Sequence, residues 1–399
     1  MKGFFHLSQV QKERPDAGLI PKCGSCGLYK KCQTPKMVPY GKGRSGVLVI
    51  GEAPGEQEDE EGRPFIGKAG QFLRQCLNGV GVNLDLDAVT TNALICRPPG
   101  NKIQDPQAIA YCHPNLSRTI RETQPQVILT LGRSALVSAL SPFWKGEVGP
   151  LEKWVGWRIP LGEYWLCPTW HPSFLLRMKS ELMDRQFSDH LEEAFQIEEP
   201  PPAREDLPKQ VQILYDEGEI CSRIKRMEEK GGWVAIDYET NCLKPEYEKA
   251  RIHSCALSNG EETIAYPWSG KAIQATAQFL VNPHLQKIAS NLKFEERWSR
   301  LHVIHGGGGV KNWGWDTMIA THCLDNRPGI CSLKFQAFVH LGLESYNVNI
   351  DPYLSEDRGS HYNRIQDIAL EDLLLYNGMD AILEHRLAMH QRKEMGYEE

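Results

Sequence analysis

Cysteine is scarce, basic residues do not outnumber acidic ones, and no long apolar run occurs anywhere in the 399 residues. Twelve cysteines are too few to staple a chain of this length through disulfides, which points to a reducing compartment. No segment approaches the roughly 18 apolar residues of a membrane span, so no membrane partner is expected. Residues 1–22 include His6, Gln9, Lys12, Glu13 and Asp16 and have no apolar core, which argues against a secretory signal. The expected location is cytoplasmic. A net charge of −6 supplies no global positive field, so contact with nucleic acid has to come from local basic patches. Internal repeats and long low-complexity tracts are also missing. What is present is 41% hydrophobic and 24% charged, a composition incompatible with wholesale disorder. At roughly 100–200 residues per domain, two or three domains are expected.

The main break in composition is at 198–209, EEPPPAREDLPK. Three consecutive prolines and flanking charges, without apolar periodicity, read as a semi-rigid linker. The expected division is residues 1–197, a linker at 198–210, and residues 211–399. In the first part, apolar runs predict strands at 46–51, 89–95, 127–131 and 166–169, with helical spacing at 70–79, 106–122 and 132–140. Strand alternating with helix argues for an α/β fold on a parallel sheet. Ligands of such sheets gather beyond the carboxyl ends of the strands. Gly51, Glu52, Asn92 and His171 all fall at such ends. In the second part, strands are predicted at 233–237, 254–257, 263–266 and 287–290, with helices at 291–301 and 365–391, giving a mixed sheet wrapped by helices. Four glycines at 306–309 read as a loop, because no helix start with Lys-Ser/Thr follows.

Several constellations carry chemistry. Gly51-Glu52-Ala53-Pro54-Gly55 forms a turn in which Pro54 fixes the backbone and Gly55 frees it. Glu58, Asp59 and the stretch Gly62-Arg63-Pro64-Phe65-Ile66-Gly67 follow. This suits a pocket for a small planar ligand; it equally suits an acidic surface turn. Cys23 and Cys26 form a CxxC, and Cys96 and Cys112 lie 16 positions apart. Four thiolates so grouped hold zinc or an iron–sulfur cluster, with Cys32 as a nearby spare. The redox reading of a CxxC lacks a thioredoxin-like setting here. Asp237 and Glu239 stand two apart on a strand, hence on one face. Paired carboxylates hold hard divalent cations, and two such cations make a phosphodiester-cleaving site. Tyr376 and Asp380 stand four apart on one helix face.

Three separated motifs, GEAPGEQEDEEGRPFIGKAG, TTNALICRPPGN and WHPSFLLR, together resemble the family 4 uracil-DNA glycosylases over residues 20–195. The resemblance implies the uracil-glycosylase α/β/α sandwich. It also implies that Phe65 stacks on a flipped uracil and that Asn92 reads the Watson–Crick edge. By the same resemblance His171 stabilises the anionic leaving group. Glu52 and Glu58 become the carboxylates for water and sugar, and Gly51 and Ala53 complete the pocket. Ser173, Leu175 and Arg177 would enter the DNA, with an apolar wedge replacing the flipped base. Cys23, Cys26, Cys96 and Cys112 would ligate a 4Fe-4S cluster of structural rather than catalytic role. Ala53, and the absence of an inserted basic loop, separate this chain from relatives that trap abasic sites covalently.

Over residues 211–395 the chain resembles the DEDDy 3′–5′ exonuclease domain of A-family DNA polymerases, an RNase H-like fold. The carrying residues are Asp237 and Glu239, Asn291-Leu-Lys-Phe-Glu295, and Tyr376 with Asp380. The resemblance implies Mg2+ or Mn2+ on Asp237, Glu239, Glu295 and Asp380. Tyr376 would orient the attacking water, and Asn291 and Lys293 would support the site or touch the substrate strand. Glu295 departs from the family, which has Asp there; the extra methylene bears on a cation that demands near-octahedral geometry.

Together the two resemblances imply a bifunctional protein of bacterial or phage DNA repair and replication, acting on single- and double-stranded, uracil-containing DNA. It would sit in the bacterial cytoplasm, or in the host cytoplasm for a phage protein. No polymerase region follows Asp380 in this sequence, so a DNA polymerase domain or subunit is the expected partner. The competing expectation is a uracil-sensing, DNA-binding module in front of a polymerase, with an inactive or weak exonuclease.

Overall fold

The computed structural model describes residues 20–304, 306, 308–344, 346–356 and 359–397. The N-terminal segment up to residue 19, and Gly307 of the four-glycine run, lie outside the described residues. The chain forms two compact units, one of the described residues up to Arg204 together with 339–344, the other of residues 205–338 and those after Glu344.

The first unit is built on a five-stranded sheet of β1 (Val47–Gly51), β2 (Ala88–Asn92), β3 (Val127–Leu131), β4 (Ile159–Leu161) and β5 (Tyr164–Thr169), in the order β2-β1-β3-β5-β4. The first four in that order are parallel; β4 pairs antiparallel with β5. All five residues of β1 are buried, as a strand covered on both faces requires. The helices are α1 (Glu56–Glu61), α2 (Lys68–Gly79), α3 (Gln107–Thr123), α4 (Arg133–Leu140), α5 (Pro172–Met178) and α6 (Glu181–Phe195). Val47, Val49, Val127 and Leu129 pack on Leu73 and Leu77 of α2 and on Phe187 and Leu191 of α6. α3 and α4 cover the opposite face. The result is the α/β/α sandwich. The β4–β5 hairpin escapes sequence reading because β4 has three residues and contains Pro160.

The second unit has a six-stranded mixed sheet. Its strands are β6 (Val211–Ile213), β7 (Gly232–Thr240), β8 (Ile252–Ser258), β9 (Thr263–Pro267), β10 (Leu285–Ala289) and β11 (Trp313–Asp316), in the order β11-β10-β7-β8-β9-β6. β7, β8 and β9 form an antiparallel meander, while β10 and β11 run parallel to β7. That order and polarity is the RNase H-like arrangement. Its helices are α7 (Glu217–Lys230), α8 (Gly270–Val281), α9 (Leu292–Trp298), α10 (Thr317–Leu324), α11 (Leu333–Leu341) and the 25-residue α12 (Leu370–Glu394). α12 lies on small residues: Ala256 and Ala265 meet Leu374 and Ala381, and Ala235 meets Ala388. At Gly378 an added Cβ would come within 2.3 Å of Val211 Cγ1, so only glycine lets the helix approach β6. The helix expected at 291–301 is α-helical only to Trp298 and continues as a π-helical turn, Ser299–Val303.

His385 of α12 is 9% exposed and lies beside Gly260. Burial holds its imidazole down at about 4. This is below the unfolded value of about 6.5, so the penalty is absent above pH 6.5 and grows as pH falls toward 4. At pH 5 it amounts to about 2 kcal/mol relative to neutral pH. The buried carboxyls of this unit titrate in the opposite sense, so the difference between variants is the readout. Thermal unfolding at pH 7 and pH 5 is expected to show a smaller loss of stability in His385→Gln than in the wild type.

Candidate active sites

In the first unit the carboxyl ends of the four parallel strands meet. Gly51 ends β1 and pairs in register with Asn92, the last residue of β2. A Cβ at Gly51 would fall 2.4 Å from Asn92 Oδ1 and 2.7 Å from Phe65 Cζ. The glycine thus leaves the space that the amide and the ring occupy. Phe65 is buried and holds a left-handed backbone, φ 57°, which costs a non-glycine residue on the order of 1–3 kcal/mol. Three contacts hold it there. Glu58 Oε1 accepts the N–H groups of Ile66 at 3.1 Å and Gly67 at 2.8 Å. Arg74 Nε donates to Phe65 O at 3.2 Å. Gly70 lets α2 press on the Phe65 carbonyl.

Glu52 and His171 meet across Gly132, the residue after β3. A Cβ there would stand 2.8 Å from Glu52 Oε1 and 3.0 Å from His171 Cβ, and its φ of 91° further favours glycine. Glu52 Oε1 accepts the Ser134 N–H at 3.2 Å, from the first turn of α4, where the helix dipole favours a negative charge. His171 is the N-cap of α5: its Nδ1 accepts the Ser173 N–H at 3.2 Å and lies 2.8 Å from Ser173 Oγ. With Nδ1 accepting, the neutral ring carries its proton on Nε2. Burial lowers the His171 pKa, with Arg177 acting the same way and Glu52 and Glu58 opposing. The imidazole is therefore a neutral N–H donor at pH 7.

Cys23, Cys26, Cys96 and Cys112 line one cavity together with Leu28, Tyr29, Leu94 and Asn115. Cys32 is not among its lining residues. Lys36 N–H donates to Cys96 Sγ at 3.2 Å, and Asn115 Nδ2 to Cys112 Sγ at 3.5 Å. Burial pushes the Cys96 thiol up to about 12 and raises Cys112, so neither ionises without a cation. Four thiolates around one zinc ion would stand about 3.8 Å apart. Among the described residues, the set of three or more such donors within 4.8 Å of one another is a carboxylate trio, so no three of these sulfurs are that close. The wider spread, with N–H donors to two sulfurs, fits a multi-iron cluster better than a single zinc ion.

That carboxylate trio is Asp237, Glu239 and Asp380 in the second unit. β7 presents the first two on one face, and α12 brings the third. Asn377, one turn before Asp380, donates to Asp237 Oδ2 at 2.6 Å and to Asp237 O at 3.2 Å, while Ser254 Oγ donates to its Oδ1 at 2.8 Å. Burial and the neighbouring Asp380 push Asp237 up to about 8; Glu239 and Asp380 are raised chiefly by burial. Lys334 of α11 opposes the shift at all three. Its Nζ lies 5.0 Å from the centre of the Tyr376 ring. Tyr376 is itself buried on α12.

Some expected residues stand differently. Leu175 is a correction: it is 1% exposed in the core with Phe65 and Phe187, while Leu176 is 41% and Met178 52% exposed. On a helix the next position turns about 100°, so Leu176 faces out where Leu175 faces in. Ser173 is engaged with His171 rather than presented outward, whereas Arg177 is exposed. Glu58 spends Oε1 on the Phe65 loop. The Ala53 side chain packs against the cluster of Leu94, Ala108 and Ile109. Glu295 does not join the trio: it is 2% exposed, its Oε2 has no hydrogen-bond partner, and burial raises its pKa far above the carboxylate range. Asn291 enters α9 with a left-handed φ of 66°, and it and Lys293 are exposed. Residues that sequence reasoning missed are Gly132, Ser134, Lys334, Tyr346, Asn377 and Glu384. Only Gly132 had a readable signal, a glycine directly after a buried strand.

A family model described as the uracil DNA glycosylase superfamily matches residues 38–196, and one described as a 3′–5′ exonuclease matches residues 211–395. The type-4 uracil-DNA glycosylase of Thermotoga maritima is 36% identical over 189 residues, which are 47% of this chain and 93% of that protein. DNA polymerase I of Chloroflexus aurantiacus is 26% identical, over 52% of this chain and 21% of its own length. The DNA polymerase of Bacillus phage SP01 is 24% identical, over 73% of this chain and 34% of its own. Fold and sites thus define an α/β enzyme of DNA. The chain belongs to the type-4 uracil-DNA glycosylases, fused in its second half to a 3′–5′ exonuclease domain of the A-family DNA polymerase type.

Two outcomes follow from this geometry. Leu175→Ala is expected to destabilise the first unit by about 2–5 kcal/mol, while Leu176→Ala leaves the melting temperature unchanged and weakens binding of uracil-containing duplex; melting curves and a binding titration separate the two. Because Asp237 titrates at about 8, a divalent cation has to displace protons at neutral pH. Apparent Mn2+ affinity is expected to rise with pH from 6 through 8, with proton release visible by calorimetry in buffers of different ionisation enthalpy.

Proposed function

We propose that the chain hydrolyses the N-glycosidic bond of deoxyuridine in DNA and shortens DNA strands from the 3′ end. The observation that carries the first activity is the convergence of Glu52, Phe65, Asn92 and His171 at the carboxyl edge of one parallel sheet. Phe65 stacks on the flipped base. The Asn92 amide donates to uracil O4 and accepts from N3–H. As the bond from N1 to C1′ breaks, charge grows on uracil O2, and the neutral Nε2–H of His171 donates to it. Glu52 opposes the positive charge on the sugar and positions the water whose oxygen bonds C1′. Leu176 and Arg177, exposed on α5, are the residues that enter the duplex.

Cys23, Cys26, Cys96 and Cys112 are the ligands we assign to a 4Fe-4S cluster, which ties the N-terminal loop to α3 and plays no part in the chemistry. Asp237, Glu239 and Asp380 hold Mg2+ or Mn2+, which when bound polarise the scissile phosphate. Tyr376 orients the water, and Lys334 faces the charge that builds on the phosphate. A DNA polymerase domain or subunit is the partner that gives the exonuclease its purpose. The phage polymerase, alignable with both halves of the chain, supports that pairing. Such a system works in the cytoplasm of a bacterium or an infected host.

A second reading has a specific observation behind it. Glu295 lies outside the trio, which makes the second unit, on this reading, a DNA-binding scaffold without nuclease activity. Two assays on the intact chain decide. On a uracil-containing single strand, free uracil is expected from the wild type and a loss of about 10²–10³-fold from His171→Ala. On a 5′-labelled, uracil-free strand with Mg2+, a ladder of shortened products is expected, absent in Asp237→Ala and in chelator. No uracil release overturns the glycosylase reading. No shortening with either Mg2+ or Mn2+ overturns the nuclease and leaves the scaffold.

A further inference from the structure

Two of the three clustered carboxylates are gripped by a side chain from outside the cluster. For Asp237 it is Asn377, at 2.6 Å. For Asp380 it is Tyr346, whose hydroxyl donates to Oδ1, and Tyr376 of α12 is bonded to the same carboxylate. Tyr346 comes from the turn that precedes the short helix Asp351–Leu354, and nothing in the motifs around Asp380 foretells it.

The turn is built to hold that hydroxyl. Asn347 O accepts the N–H groups of Ile350 at 2.8 Å and Asp351 at 2.9 Å, and Asn347 Nδ2 donates to Asp351 Oδ2. Lys334 Nζ reaches Asp351 Oδ1 at 3.5 Å from α11. The Tyr346 ring lies 5.9 Å from the Tyr376 ring, tilted by 33°. Thus the turn is tied to α11 on one side and leans on α12 on the other.

We propose that Tyr346 is a positioning residue of the nuclease site, whose hydroxyl fixes the Asp380 carboxylate in the orientation that receives a divalent cation. The inference rests on the nuclease reading given above. An ionised carboxylate has about four lone-pair positions, so the two tyrosine donors leave about two for a cation. Outer donors of this kind orient a ligand and spare the reorganisation that binding otherwise costs. Asn377 and Tyr346 then serve as counterparts, one holding the strand carboxylate and the other the helix carboxylate.

The test is a Mn2+ titration of the intact chain, read from the EPR signal of free Mn2+, for the wild type, Tyr346→Phe and Asp237→Ala. Phenylalanine keeps the ring against Tyr376 and removes only the hydroxyl. Tyr346→Phe is expected to weaken Mn2+ binding about tenfold and to raise the Mn2+ needed for half-maximal strand shortening equally, with the saturated rate within about twofold. A melting curve of the same sample establishes that the second unit is folded. If Asp237→Ala loses Mn2+ while Tyr346→Phe binds as the wild type does, the role of Tyr346 is overturned and the nuclease reading stands. A lower saturated rate without a shift in the Mn2+ midpoint likewise reduces Tyr346 to packing. If Asp237→Ala binds Mn2+ as the wild type does, the nuclease reading falls and this inference with it.

Discussion

Three carboxyl groups within 4.8 Å of one another, with Glu239 and Asp380 each 8% exposed, cannot all carry charge unless a cation shares the space. Much of the second unit answers that constraint. The small residues under α12 and the glycine at 378 bring the helix close enough to set Asp380 beside β7. Asn377 then pins Asp237, and Lys334 supplies a positive side chain that opposes the shift on all three acids. Glu295 and Glu384 add two further buried carboxyls, each with an oxygen that has no hydrogen-bond partner. Burial raises the pKa of both well above the carboxylate range, so neither readily adds charge beside the trio.

The first unit faces the opposite task, recognition of a neutral planar base and stabilisation of a charge that exists only in passing. Its strand ends accordingly carry a neutral amide and a neutral imidazole, Asn92 and His171, beside the carboxylate of Glu52. Two glycines do the spatial work. Gly51 gives up its side-chain volume to Asn92 and Phe65, and Gly132 gives up its own to Glu52 and His171. The left-handed backbone at Phe65 is tolerated because Glu58, Arg74 and Gly70 over-determine it. The histidine stays neutral through burial, and the Ser173 N–H on Nδ1 leaves its proton on Nε2.

Legibility differed between residue types for reasons of geometry. Strand-end positions were readable, since a buried apolar run shows its own end and parallel α/β sheets place their sites there. Asp237 and Glu239 were readable from period two alone. Leu175 and Leu176 were not separable, because which of two adjacent leucines faces the core depends on how α5 is rotated against Phe187. Cys32, a rival in sequence, is absent from the lining of the cavity that Cys23, Cys26, Cys96 and Cys112 share, although it is bonded to Cys96. Tyr346 had no signal, because its partner lies 34 positions away and no motif spans that distance.

By itself the sequence determined the two-part organisation of the chemistry, the α/β class of each part, and most residue types needed for base recognition and for cation binding. These follow from local periodicity and from short spacings, which act within one strand or helix. Tertiary structure alone decided which carboxylates share a cation-sized space and which leucine is exposed. It also decided which serine bonds His171 and which tyrosine bonds Asp380. Those outcomes depend on how strands and helices distant in sequence are packed together, and close packing allows only one neighbour at each such position.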